Sequence, residues 1–174
     1  MSDEAGRAGS VPKVPTLEDF PETGTNALAT FAQRAWARII DTFLTLFVVL
    51  ALVPLLPLRT MVDDPEQAVA AIVWSLALWA VVAGSYETIA VALFGVTAGK
   101  AAFGIRVARF ADGRRPTWEQ ALMRCLLPLA GATGLGAFGF PVIGAGTVYL
   151  SSLSNPLGRG WHDHAGGTIV IRTR

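Results

Sequence analysis

Ile39-Ile-Asp-Thr-Phe-Leu-Thr-Leu-Phe-Val-Val-Leu-Ala-Leu-Val-Pro-Leu-Leu-Pro-Leu58 decides the class of fold. It is apolar except for Asp41, Thr42 and Thr45, and as a helix it would rise about 30 Å, the thickness of a bilayer's hydrocarbon core. Pro54 and Pro57 stand near its far end, where a helix can stop or kink while stranding few backbone groups. A second run, Ala68 to Phe94, carries Trp74 and Trp79 and a single charge, Glu87. It exceeds one perpendicular crossing, so tilt or an interfacial extension is expected. Composition agrees with this reading. The 174-residue chain is 52% hydrophobic and 16% charged, whereas soluble domains average about a quarter charged. The shortfall is concentrated in the long apolar runs, which points to lipid rather than to a soluble core.

Outside these runs the charges set an orientation. The segment Gly95 to Trp118 holds Lys100, Arg106, Arg109, Arg114 and Arg115 against Asp112 alone, while the Arg59–Glu66 turn carries Asp63, Asp64 and Glu66. By the positive-inside rule the first is cytoplasmic and the second external. The N-terminus, with Arg34 and Arg38 at the start of the first helix, is then cytoplasmic too. Residues 1–30 are rich in Gly and Pro and hold no apolar stretch long enough for a signal-peptide core. They are expected to be an uncleaved, disordered cytoplasmic tail, with 31–174 forming the membrane domain. A net charge of +1 gives no reason to invoke nucleic acid, and with Cys125 as the lone cysteine no intramolecular disulfide can form.

Two short stretches read as strands. Ile105-Arg-Val-Ala-Arg-Phe110 alternates in part and meets the turn dipeptide Asp112-Gly113; Thr168-Ile-Val-Ile-Arg172 lies near the C-terminus. Pairing with each other is the simplest way to satisfy their edges. The third apolar stretch, Ala121 to Leu153, is interrupted by Arg124, Pro128, Pro141 and several glycines. It is too long for one comfortable span and short for two. If the strands pair, it enters and returns as a hairpin of short or re-entrant helices, broken around Gly131–Gly139. If they do not, it is one span after an interfacial helix, and the C-terminus lies outside. The expected class is thus an all-α membrane protein. It has two clear transmembrane helices, a third hydrophobic segment broken by Gly and Pro, and a small cytoplasmic strand pair.

Several stretches resemble the RDD family of bacterial membrane proteins. They are Arg34-Ala-Trp-Ala-Arg-Ile-Ile-Asp41, Gly95-Val-Thr-Ala-Gly-Lys-Ala-Ala-Phe-Gly-Ile-Arg-Val107, Asp112-Gly-Arg-Arg-Pro-Thr117 and Trp161-His-Asp-His-Ala-Gly-Gly-Thr168. The second is similar to the family's G-x-T-x-G-K-x-x-x-G-x-x-V stretch, with Gly95, Gly99 and Gly104 as its glycines. The family is named for one Arg and two Asp; Arg34 and Asp41 match the first pair, with Arg38 competing for the arginine, and Asp163 matches the last. The closing block usually reads Leu-His-Asp-Arg, and here Trp161 and His164 replace the outer two residues. The resemblance implies a multi-pass protein of the bacterial plasma membrane, with transport of ions or small solutes proposed for some members.

Read from the residues themselves, Arg34, Arg38 and Asp41 share one helical face, at i, i+4 and i+7. Bases preceding the acid are the weaker order for helix stabilisation, so that explains them poorly. Headgroup anchoring accounts for the arginines but not for Asp41. A lone Asp at a helix centre costs about 2.5–3.5 kcal/mol, less near the rim, and a cation, a proton or water must offset it. Glu87, roughly 10 Å from the inner end of the second helix, poses the same problem. Asp41, Glu87, Arg34, Arg38, Lys100 and Asp163 are therefore expected to gather in a charge network at the inner leaflet.

Other motifs carry less. Gly95 to Lys100 looks like a phosphate loop, but its glycine spacing is one residue short and Ala101 stands where Ser or Thr should be. His162 and His164 are two apart and no further His exists in the chain, so no metal site is expected. No nucleophile–base constellation marks an enzyme, and no cofactor is expected. Two functional readings follow. One is a carrier of ions or small solutes; so few helices would enclose a path only as an oligomer. The other is a non-transporting accessory subunit of a larger membrane complex. Both have membrane lipid as a partner.

Overall fold

A computed structural model describes residues 14–53, 65–136 and 141–174. The chain is mostly helical. Helix α1 is Phe31–Leu52, α2 Pro65–Phe94, α3 Ala98–Ala102, α4 Trp118–Gly136, α5 Pro141–Leu150 and α6 Trp161–Ala165. Strands β1 (Ile105–Arg109) and β2 (Thr168–Arg172) pair antiparallel, with Val107 opposite Val170. The expected strand pair thus forms, between the expected residues.

Helix α1 starts at Phe31, earlier than the apolar run alone predicts. The reason is a reciprocal cap: the Thr30 hydroxyl accepts from the Gln33 N–H, and the Gln33 side chain accepts from the Thr30 N–H. The cap places Arg34 and Arg38 inside the helix rather than before it. Only a narrow stripe of α1 is buried, Ala37, Asp41, Thr45 and Val49, while Phe43, Phe47 and Leu50 are exposed. Both α1 and α2 are long and apolar enough to cross a membrane, and only 22% and 11% of their most apolar stretches are buried. A helix in the core of a soluble protein would be mostly covered, so these faces need lipid or another apolar partner. The turn expected at 59–66 lies mostly outside the described residues.

The third apolar segment folds as two helices, α4 and α5, flanking residues outside the described set. Helix α4 runs through Pro128 to Gly136, so neither Pro128 nor Gly131 breaks it. Pro141 opens α5, the first-turn position where a missing N–H costs nothing. The two helices touch at glycines: a Cβ on Gly131 would lie 2.5 Å from the Gly144 carbonyl oxygen. Small residues let backbones approach this closely. Between α2 and α4, Gly84 accommodates Leu129, and Thr88 and Cys125 lie 3.2 Å apart in hydrogen-bond contact.

The tail expected over 1–30 needs correction within its described part. Residues 17–19 form a 3-10 turn, and residues 26–29 run along the outer edge of β2. Ala29 N–H donates to Val170 O (3.1 Å) and Arg172 N–H to Ala27 O (2.8 Å). A free edge of β2 would leave these groups unpaired, and a short segment with little apolar content suffices to satisfy them. The sheet sits across the ends of the long helices, where Ile105, Val107 and Val170 pack with Ala37, Val91 and Ala121.

Candidate functional site

Helix α3 and its N-cap residue Thr97 bring three groups to Asp41 of α1, and Tyr86 of α2 brings a fourth. Asp41 accepts from the Thr97 hydroxyl at 2.5 Å, the Gly99 N–H at 2.8 Å and the Tyr86 hydroxyl at 2.9 Å, with the Lys100 Nζ at 4.0 Å. Gly99 is required by contact. An added Cβ would stand 2.9 Å from the Asp41 carboxyl carbon and closer still to the Ala37 carbonyl. Gly95 and Gly104, which flank α3, adopt φ of +72° and +61°, the left-handed region that favours glycine.

Glu87 is buried among bases from three other elements. Arg38 of α1 donates to it at 2.5 Å, Lys100 of α3 stands at 3.3 Å, and Nε of Arg124 on α4 lies at 3.8 Å. The Arg38 guanidinium also sits 4.7 Å from the Tyr149 ring centre, a cation–π contact. Burial in this company lowers the Lys100 ammonium from its ordinary value, partly opposed by Glu87.

Asp163, fully buried, is the third acid. It accepts from Arg34 at 3.3 Å, from Arg124, from the Thr168 hydroxyl at 3.3 Å and from the Gly160 N–H at 3.1 Å. Arg34 continues to the carbonyl oxygens of Gly158 and Val170, which ties α1 to the closing block and β2. Arg159 donates to the Thr168 carbonyl and stacks 3.8 Å from the Phe110 ring centre. His164, at the position where the family usually has Arg, is exposed and meets Asn155 instead. The positive charge beside Asp163 comes from Arg34 and Arg124.

His162 packs edge-on against Tyr149, their ring centres 4.7 Å apart. Burial, reinforced by the Arg124 charge, holds its imidazole well below the ordinary 6.5, so its 3.6 Å approach to Asp163 is that of a neutral ring. The unfolded chain therefore takes up this proton first as pH falls. Stability from this group is complete above about pH 6.5 and drops below it, by up to about 1.4 kcal/mol per pH unit. Thermal melts at pH 7.5 and 5.5 should show a larger acid loss for the native chain than for His162→Gln. Equal losses would refute the assignment.

Every expected charged residue thus meets a partner. Arg34 bonds to Asp163, not to Asp41 on its own helix. Arg124, missed in the sequence reading, joins the Glu87 and Asp163 clusters. The signal for it was present: a lone base in the apolar stretch Leu122–Leu129 raises the same question as Asp41 and Glu87. Tyr86 and Tyr149 were not legible, because hydroxyls in apolar helices are commonplace, and Thr97 was visible only as the threonine of the G-x-T-x-G-K stretch. Beside the cluster lies a cavity of about 280 Å³, lined by Arg34, Arg38, Glu87, Lys100, Arg124 and Tyr149 among others.

This arrangement joins the first, second and last sequence blocks into one site, and a family model described as the RDD family matches residues 28–167. The chain belongs to the RDD family. Neither the curated proteins nor the solved structures include a match to it. The residues offered for the family's one Arg and two Asp, Arg34 or Arg38 with Asp41 and Asp163, all lie within the matched stretch of this RDD protein. Arg34 and Asp163 are bonded to each other, and Asp41 reaches them through Lys100, Glu87 and Arg124. Among the described residues no group of three or more His, Cys, Asp or Glu is placed to hold a metal.

Proposed function

We propose that this RDD protein carries ions or small solutes across the bacterial plasma membrane, working as an oligomer. In this reading α1 and α2 cross the bilayer, and α4 and α5 enter it as a hairpin. The N-terminus, α3 and the sheet then lie on the cytoplasmic side, where the basic segment 95–118 favours them. The supporting observation is the juxtaposition of the buried Asp41–Lys100–Glu87–Arg124–Asp163 chain with the cavity. Ionisable groups at membrane depth are costly and typically mark an ion or solute path. Each acid here has more than one donor, so one contact can be exchanged for solute while the others hold the side chain in place.

Asp41 is the group to test, since Asn preserves its shape but removes its charge. Purified protein in liposomes should dissipate an imposed gradient of at least one of proton, sodium, phosphate or a small organic acid, well above protein-free vesicles. Asp41→Asn should return that flux to background while inserting normally. Inert liposomes, with stoichiometric co-purification of a larger complex, would replace this reading with that of an accessory subunit.

A further inference from the structure

The charge balance around the cavity is uneven. Its lining includes four bases, Arg34, Arg38, Lys100 and Arg124, and one acid, Glu87. Asp41 and Asp163 contact these bases from behind, so the cluster as a whole has four bases against three acids. Several buried polar atoms of the lining also lack a hydrogen-bond partner among the described residues: the Tyr149 hydroxyl, His162 Nδ1, and the Nε atoms of Arg34 and Arg124. Arg124 and His162 are 3% and 4% exposed, so bulk solvent does not satisfy them. Buried donors without acceptors are expensive. Apart from His162 Nδ1, which on a neutral ring can be an acceptor, the surplus is of one kind: positive charge and N–H or O–H donors on residues that line one cavity.

Another part of the lining is of a different character. Phe31, Ala35, Ile39 and Phe43 line the cavity at successive turns of α1, and Phe31, Ile39 and Phe43 are exposed. The site therefore offers a cationic floor beside an apolar face.

We propose that the cavity binds an oxyanion of the phosphate class through Arg34, Arg38, Arg124 and the Tyr149 hydroxyl. The apolar wall of α1 fits a phosphate carried on a lipid, and the same floor would take free phosphate. Guanidinium groups match tetrahedral oxyanions because their forked donors address two oxygens at once. Glu87 does not oppose this, since its carboxylate is already held by Arg38, Lys100 and Arg124. The proposal concerns what occupies the cavity and holds whether or not the bound group is carried across the membrane.

Tyr149→Phe provides the test. The hydroxyl has no hydrogen-bond partner among the described residues, so its removal should leave the fold intact, and Phe keeps the ring beside Arg38. Protein is held in phosphate-free dodecyl maltoside micelles, alone, with added inorganic phosphate, or with added phosphatidylglycerol, all at one ionic strength. Binding is followed by the rise in melting temperature and by native mass spectrometry. A response to phosphatidylglycerol identifies a lipid occupant; a response to inorganic phosphate identifies a free one. In either case Tyr149→Phe should weaken binding about tenfold, the loss of one hydrogen bond to a charged group. Arg114→Gln, which changes an exposed base on the far turn, should leave binding unchanged. No response to either probe overturns the proposal. So does a response that Tyr149→Phe leaves intact, or one that Arg114→Gln weakens equally.

Discussion

Asp163→Asn should destabilise the protein by about 3–5 kcal/mol, the cost of leaving a buried charge without its partner. The side chain is fully buried and is shared by two guanidinium groups. Asn would keep the Gly160 and Thr168 contacts in part, but its amide cannot neutralise Arg34 and Arg124. The effect should reach beyond α6, because Arg34 belongs to α1 and Arg124 to α4. Denaturant titration in detergent micelles measures it, with His164→Asn as the exposed comparison in the same helix, expected within about 0.5 kcal/mol of the native chain. A loss at Asp163 no greater than at His164 would mean that Asp163 holds nothing together.

Glu87→Gln should cost a similar amount, about 3–5 kcal/mol, for a related reason. It strips the shared counter-charge from Arg38, Lys100 and Arg124 at once. Arg124 is the most buried of the three bases but keeps Asp163 as a partner, whereas Lys100 is buried with Glu87 as its nearest acid, so removing it should offset part of the loss. The double variant Glu87→Gln with Lys100→Met should therefore recover about 0.5–3 kcal/mol relative to the additive expectation, the range for directly coupled pairs. Strict additivity in that cycle would show that the two side chains act independently. The cluster would then be a set of separate pairs rather than a network.

Some of this architecture was open to a reader of the sequence. The end of α2 at Phe94 was legible because a long apolar run, charged only at Glu87, stops at Gly95, where φ turns positive. The strand pair was legible because Asp112-Gly113 marks a turn and the two short apolar stretches had nowhere else to pair. The start of α1 was readable but not read: Thr30 and Gln33 have capping-box spacing, while hydropathy alone pointed to Ile39. The pairing of residues 26–29 with β2 was not readable, since its bonds are made by backbone and leave no side-chain pattern. The site divides along the same line. Helical spacing placed Arg34, Arg38 and Asp41 on one face, but it could not assign partners. Arg34 finds Asp163 near the other end of the chain, and Arg124, on α4, links the two halves of the cluster.

The three-line sheet formed by residues 26–29, β2 and β1 has a mechanical consequence. It laces the root of α1 and the segment following α2 to the closing strand through backbone hydrogen bonds. Such a seam resists sliding of α1 along its neighbours, because slippage would break several bonds at once. Rotation about the seam breaks none of them. Relative movement of the long helices would then resemble a fan opening from its rivet, with the largest displacement at the tips remote from the sheet.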